Sequence, residues 1–414
     1  MKILFVHQGF PGQFKHLLPA LLDRGDEIFV LSSKKKPPNI DFRIHYFRYI
    51  VRRGNTNGIH PLVLETESKV IRGEALANEA FRIREQGLVP DLIYCHPGWG
   101  ESLFLRDIWP HTPQLHYVEY SYNSLTADSS FKDIYQTNKS WLDSAKIRMK
   151  NANTLLNLDS MNWGLTPTHF QKNTLPYSYR NRVSVIHDGI DTSWASPDNS
   201  AQYRISDSCL LSKSDKVLTF VNRTFEPYRG IHTMMKSIPL IQKKHPDVHF
   251  VFIGKDSPIV SYGANREDGI GWFSALKEEL GDEIDWNYVH LTGKIPHESL
   301  RSLFRISSLH VYLTYPFVLS WSLLEAMSCG CLVLGSRTEP VEEVIRDGSN
   351  GFLVDFHDSY SLAEISCELF ENQEKYSDIR LEARNTIIGN YELVNCIQKH
   401  LALVDFVANV PTVV

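Results

Sequence analysis

Hydrophobic and polar positions alternate in blocks along the chain. Residues 2–10, "KILFVHQGF", hold the apolar run Ile3–Val6 and form a short β-rich stretch that ends at glycine, the pattern of a strand. "GQFKHLLPALLDRGDEIFVLSS" follows, with apolar residues at helical spacing and then a second strand. This β-loop-α-β unit recurs at "PDLIYCHPG", "WGESLFLRDIW", "QLHYVEYSY" and "TLLNLDSMNWGLTPTHFQ". A second series begins at "KVLTFVNRT" and "GIHTMMKSIPLIQKKHP" and runs through "VHFVFIGKD", "VHLTGKI", "LHVYLTY", "LLEAMSCG" and "CLVLGSR". Each series predicts a parallel sheet covered by helices.

Between them, "VSVIHDGIDTSWASPDNSAQYRISDSCLLSKSD" is rich in Asp, Ser and Pro and poor in periodic apolar content, which predicts a linker near residues 190–215. The expected fold class is therefore α/β, with two Rossmann-like domains facing each other across a cleft. An N-terminal domain is expected over 1–195 and a C-terminal domain over 196–385. The segment 386–414 is helical in pattern around an expected break at Gly389-Asn390, and either caps the second domain or returns to the first. A length of 414 residues agrees with two cores, since single cores stop growing at about 250–300 residues.

A net charge of −5 argues against a nucleic-acid partner, whose phosphates call for a basic surface. The first 200 residues carry 23 Lys and Arg against 20 Asp and Glu, so the second half holds the net negative charge. Lys34, Lys35, Lys36, Arg43, Arg48, Arg52 and Arg53 form the densest basic region, read as a solvated rim or as a surface for an anionic acceptor or the face of a membrane. No apolar run approaches the roughly 20 residues of a membrane span, so any membrane contact is expected to be peripheral. The six cysteines form no C-x-x-C pair, Cys329 and Cys331 read as packing residues, and no leader is evident at Met1–Phe14. A cytoplasmic location is the expectation, extending to the inner face of the membrane.

Candidate chemistry collects at predicted strand ends. The turn "HQGFPGQFKH" lacks G-x-G-x-x-G, yet Gly12 lets backbone N–H groups face an anion or a sugar, or simply closes a tight turn. "VNRTFEPYRG" places Arg223 at the end of a strand and Arg229 six residues on, where two guanidiniums can bridge a diphosphate. In "YPFVLSWSLLEAMSCGC" a single carboxylate, Glu325, stands among Leu323, Leu324, Ala326 and Met327 about one turn into a predicted helix. Burying it unpaired would cost several kcal/mol. A vicinal diol such as that of ribose would satisfy both of its oxygens. Tyr117, Tyr120 and Tyr122 could stack on an acceptor sugar or serve as packing.

With "NRTFEPYRG", "LLEAMSCGCLVLGS", "EPVEEVIRDGSNGFLVD" and "VIHDGID" on one chain, together with "MKILFVHQGFPGQFKHL" and "PDLIYCHPGWGESLFL", the sequence resembles the retaining family-4 glycosyltransferases of the GT-B architecture over nearly its whole length. The resemblance implies a transferase moving a hexosyl or deoxyhexosyl group from a nucleotide sugar to a glycan or lipid-linked acceptor. The nucleotide sugar is a cosubstrate, and no cofactor and no metal are implied; the chain contains no Asp-x-Asp. It assigns Arg223 and Arg229 to the donor diphosphate, Glu325 to the donor ribose, and His96 of "YCHPGW" to the anomeric centre. Gly12, Lys294, Phe317 and Ser320 complete the implied donor-binding set.

Two departures stand out. Arg229 occupies a position where the family more often has Lys. The family's first glutamate is replaced by Phe317 and the glycine three residues later by Ser320. Either backbone N–H groups and Ser320 hold the sugar, or the sugar presents fewer hydroxyls there, as a deoxysugar does, or activity is lost. The rival readings are a nucleotide-sugar epimerase or a glycosyl phosphorylase on the same fold, and a non-catalytic nucleotide-sugar-binding homologue.

Overall fold

In the first strand, Ile3 and Phe5 enter one core while Leu4 and Val6 enter another, because successive side chains of a strand point to opposite faces. Such two-sided burial belongs to a parallel sheet covered by helices. The computed structural model describes residues 1–123, 140–263 and 265–411. They divide into two units, 1–189 with 393–414, and 190–392. The divisions fall at 189/190 and 392/393, a correction to the expected boundaries at 195 and 385.

The first unit carries β1 (Lys2–Val6), β2 (Glu27–Ser32), β3 (His45–Arg48), β4 (Leu92–Cys95), β5 (Gln114–Tyr117), β6 (Trp163–Thr166) and β7 (Val183–Val185). They form one parallel sheet in the order β3-β2-β1-β4-β5-β6-β7. One face packs on the helix Leu17–Asp23 and on the final helix, Leu393–Ala408, through Leu403, Val404 and Val407. The other face is covered by the helix Leu64–Glu85 through Leu76, Ala80 and Ile83.

The second unit opens with an antiparallel hairpin, β8 (Gln202–Ser206) and β9 (Cys209–Ser212). The composition of this stretch predicts only linker. Tyr203, Ile205 and Leu211 nevertheless pack it against Val217, Val251 and Ile253. β10 (Val217–Thr224), β11 (His249–Lys255), β12 (Val289–Gly293), β13 (Leu309–Tyr312), β14 (Leu332–Ser336) and β15 (Phe352–Val354) then form a parallel sheet in the order β12-β11-β10-β13-β14-β15. Cys329 and Cys331 are buried in its core, as their sequence context predicts.

The C-terminal helices break at Glu392, not at Gly389-Asn390: Gly389 lies inside the helix Ser377–Tyr391. The first of these helices belongs to the second unit and the last one to the first. Both sheets reverse their strand order once, between β1 and β4 and between β10 and β13. Sheets of this kind bind ligands beyond the carboxyl ends of the strands at such a reversal.

Candidate functional site

In the second unit the loops leaving β10 and β13 meet at the reversal point. Pro227–Arg229 forms a short 3-10 turn, and Gly230 follows at φ 70°. An added Cβ at Gly230 would lie 2.5 Å from the Cβ of Leu313, so glycine alone lets this turn lie against the loop after β13. Tyr315 N–H donates to the carbonyl of Tyr228 at 2.9 Å and ties the two loops together. The Arg229 guanidinium is buried, 8% exposed. Its Nη1 donates to Thr314 Oγ1 at 2.7 Å and to Tyr312 Oη at 3.4 Å, and its Nη2 to the Val318 carbonyl at 3.2 Å. Each of these acceptors is a neutral oxygen.

Glu226, absent from the residues singled out by sequence, shapes the other side of this cation. Its Oε2 accepts from Thr224 Oγ1 at 2.8 Å, from Ser261 N–H at 2.8 Å and from Tyr262 N–H at 3.1 Å. Burial raises its pKa above the usual carboxylate range, against the pull of these hydrogen bonds. The Tyr262 ring so placed sits 5.3 Å from Arg229 Cζ. Phe317 meets Tyr262 edge-on at 4.7 Å and stacks on Tyr315 at 5.4 Å. The position that the family gives to a carboxylate is thus filled by a ring, 4% exposed, in an aromatic cluster.

Ser320 caps the helix Trp321–Ser328, accepting from Ser322 N–H at 3.3 Å, while its own N–H donates to Tyr312 Oη at 2.8 Å. Tyr312 therefore joins Arg229 and Ser320. Glu325, the fifth residue of that helix, is 7% exposed. Its Oε1 lies 2.8 Å from Nε2 of His297, the first residue of the helix His297–Ile306. The His297 ring stacks on Trp194 at 4.0 Å, and Trp194 Nε1 donates to Glu298 Oε1 at 2.8 Å. This imidazole is the partner that relieves the buried carboxylate; nothing in "KIPHESL" signals it in advance. Arg223 and Lys294 lie at the carboxyl ends of β10 and β12, both exposed, and neither contacts Arg229 or Glu325 through a hydrogen bond or ion pair among the described residues.

The first unit builds a second cluster at its own reversal point, from the loops after β1, β4 and β5. His96 ends the strand β4 run and caps the turn Pro97–Trp99, its Nδ1 accepting from Gly98 N–H at 3.2 Å. The Nε2 proton is thereby directed at Glu119, whose Oε2 is 3.7 Å away, too far for a hydrogen bond. His96 is 1% exposed, stacked on Trp99 at 4.3 Å and on Tyr117 at 5.6 Å, and its buried Nε2 has no hydrogen-bond partner among the described residues. His7 repeats the device: its Nδ1 accepts from Gly9 N–H at 2.9 Å and its Nε2 donates to Gln13 Oε1 at 2.9 Å. Burial first, and the neighbouring His96 second, push the His7 pKa down to about 4. Gly12, at φ 50°, lies where a Cβ would come within 2.4 Å of the His7 ring. Gln13 Nε2 reaches Glu119 Oε1 at 3.4 Å.

Tyr117 and Tyr120 are buried, and Tyr117 Oη donates to Asp188 Oδ1 at 3.0 Å. In the basic region, Arg43 pairs with Asp41 at 2.8 Å and Arg53 with Glu74 at 3.4 Å, so part of that charge is answered locally. No described helix is long and apolar enough to cross a membrane.

The sequence profile described as "Glycosyl transferase family 4 group" matches residues 24–195, and that described as "Glycosyl transferases group 1" matches residues 204–386. The chain belongs to the family 4/group 1 glycosyltransferases. An uncharacterized glycosyltransferase of Methanocaldococcus jannaschii is 24% identical to this family 4 chain over 193 residues, 46% of this chain and 45% of that protein. The chain spans about half the length of that relative and of another curated relative it matches. Among solved structures, a sucrose-phosphate synthase from Thermosynechococcus elongatus superposes with a TM-score of 0.73 at 18% identity, covering 97% of this chain and 98% of that one. An Anabaena protein in complex with UDP and glucose superposes with a TM-score of 0.70 at 17% identity, over 98% of this chain and all of the other. These likenesses establish the two-domain GT-B fold.

Proposed function

We propose that the chain transfers a sugar from a nucleotide sugar to a glycan or lipid-linked acceptor, with retention at the anomeric carbon and without a metal ion. The observation that carries this reading is Arg229: a buried cation that hydrogen-bonds only neutral oxygens and is in ion-pair contact with no carboxylate among the described residues, although the charge of Glu226 acts on it, at the strand-order reversal of a parallel sheet. A guanidinium so placed favours an anion, and a nucleoside diphosphate is the anion that the family and the UDP-bound neighbour suggest. The helix Ile231–Lys244 begins immediately after it, with no side-chain cap and no acid in its first turn, so its N-terminal field adds to the attraction. Exposed Arg223 and Lys294 supply further positive charge at the same strand ends. As the sugar leaves, charge grows on the diphosphate, and these fixed groups stabilise it more in the transition state than in the ground state. Glu325 serves the ribose, exchanging its His297 contact for the diol, and His96 serves the anomeric centre.

The test is incubation of the full chain with a panel of nucleotide sugars and acceptors, scoring nucleoside diphosphate release and product anomeric configuration, with and without EDTA. Release that survives EDTA and falls about a hundredfold in Glu325→Ala supports the reading. Wild-type kinetics in that variant would discard the site. Phe317 favours one other reading, a non-catalytic homologue; tight donor binding with no turnover against any acceptor or water would establish it.

A further inference from the structure

At the opposite, amino-terminal edge of the second unit's sheet, three side chains from separate stretches converge: Cys209, His249 and His290. His249 opens β11 and His290 is the second residue of β12. Val251 is level with His290 in the parallel register, and the two-residue period of a strand puts His249 and Val251 on the same face. The two imidazoles are therefore diagonal neighbours on one face, with His249 Nδ1 2.9 Å from His290 Nε2 and the rings stacked at 5.2 Å. Cys209, the first residue of β9, comes down on this face with the β8–β9 hairpin, which packs on Val217, Val251 and Ile253. One ligand atom from each residue lies within 4.8 Å of the other two, and all three residues are half-buried.

We propose that Cys209, His249 and His290 bind a transition-metal ion, with Zn2+ the best chemical match, clipping the hairpin to the sheet. One thiolate and two imidazoles form a mixed sulfur and nitrogen set of the kind that zinc takes, whereas magnesium and calcium take oxygens. Zinc bonds of about 2.0 Å to nitrogen and 2.3 Å to sulfur place tetrahedral ligand atoms roughly 3.3–3.7 Å apart. The imidazole pair has to open by only a few tenths of an ångström. Partial exposure leaves a fourth position for water. On binding, the Cys209 thiol gives its proton to solvent, the imidazole that donates the ring-to-ring hydrogen bond moves its proton to its other nitrogen by exchange with solvent, and that hydrogen bond is replaced by two metal bonds. The carboxylate of Asp215 acts on both Cys209 and His249 and adds negative charge beside the cation. The ion is structural: the proposed donor residues Arg223, Arg229 and Lys294 sit at or beyond the carboxyl ends of the strands of this sheet, at its other edge.

The test uses the full chain, stripped of metal. Zn2+ is titrated in competition with a chromogenic chelator, and Co2+ is followed by thiolate-to-metal charge-transfer absorption. One equivalent should bind, the charge-transfer band should appear, and Zn2+ should raise the melting temperature by several degrees. Cys209→Ser should abolish the band, and Cys209→Ser and His290→Asn should each weaken binding at least about tenfold. Glu325→Gln should change neither. No stoichiometric uptake, or uptake and absorption unchanged in both ligand variants, would show that the pair is an ordinary histidine–histidine hydrogen bond and overturn the proposal.

Discussion

Replacing Arg229 by methionine, a side chain of similar reach without charge, separates a functional cation from a structural one. Taking a guanidinium out of water costs several kcal/mol, and its three hydrogen bonds, charge-assisted through the guanidinium and one of them long at 3.4 Å, return roughly 1.5–3 kcal/mol each, with the Glu226 charge adding to them. The opposing terms are of similar size, so stability should stay within about 3 kcal/mol of wild type. Diphosphate binding should move the other way. Loss of two charge-assisted contacts at roughly 1.5–3 kcal/mol each weakens affinity by about a hundredfold or more, at about 1.4 kcal/mol per factor of ten. Titration calorimetry with nucleoside diphosphates and urea unfolding of the same preparations read the two effects side by side. Arg229→Lys should fall between, keeping the charge but losing the planar fork. Undiminished diphosphate affinity in the methionine variant, or a stability loss beyond about 3 kcal/mol, would refute the reasoning, the latter by showing that the guanidinium holds the loops together.

Gly12→Ala should cost about 1–3 kcal/mol, because the backbone is at φ 50° and the new Cβ would press on the His7 ring; an unchanged melting temperature would contradict this. Phe317→Ala should destabilise the chain by about 3 kcal/mol or more through loss of its place among Tyr262 and Tyr315, and a loss under about 1 kcal/mol in denaturant titration would show that the cluster is loosely packed. Acid should weaken the fold well before the carboxylates titrate. Burial pushes His7 down to about 4 and His116 and His310 down to about 3, so between pH 6.5 and those values the unfolded chain takes up protons that the folded chain refuses. Their contribution is complete above pH 6.5 and falls by about 1.4 kcal/mol per pH unit per histidine below it; equal urea midpoints at pH 7.5 and pH 5 would disprove this.

Apolar runs placed most strands of both sheets, because the period of burial is written locally in residues such as Ile3 to Val6, but not β3 or β7, which are short and carry few apolar residues. The same runs located His96 and Arg223 at strand ends, with Arg229 in the turn six residues on, since an element's end is also a local property. Strand order is not local. Only the sheet brings the loops after β10 and β13 together, so that Arg229 finds Thr314 and Val318, and only packing shows that Glu325 turns to His297 and that Glu226 props Tyr262 beside the cation. Composition took the β8–β9 hairpin for linker, and no spacing joins Cys209 to His249 and His290, which meet because a register and a hairpin carry them to one face. The last helix passes to the first unit although its periodicity equally suits the second: an amphipathic stripe states that a face must be buried, and the neighbour that buries it is chosen by the rest of the chain.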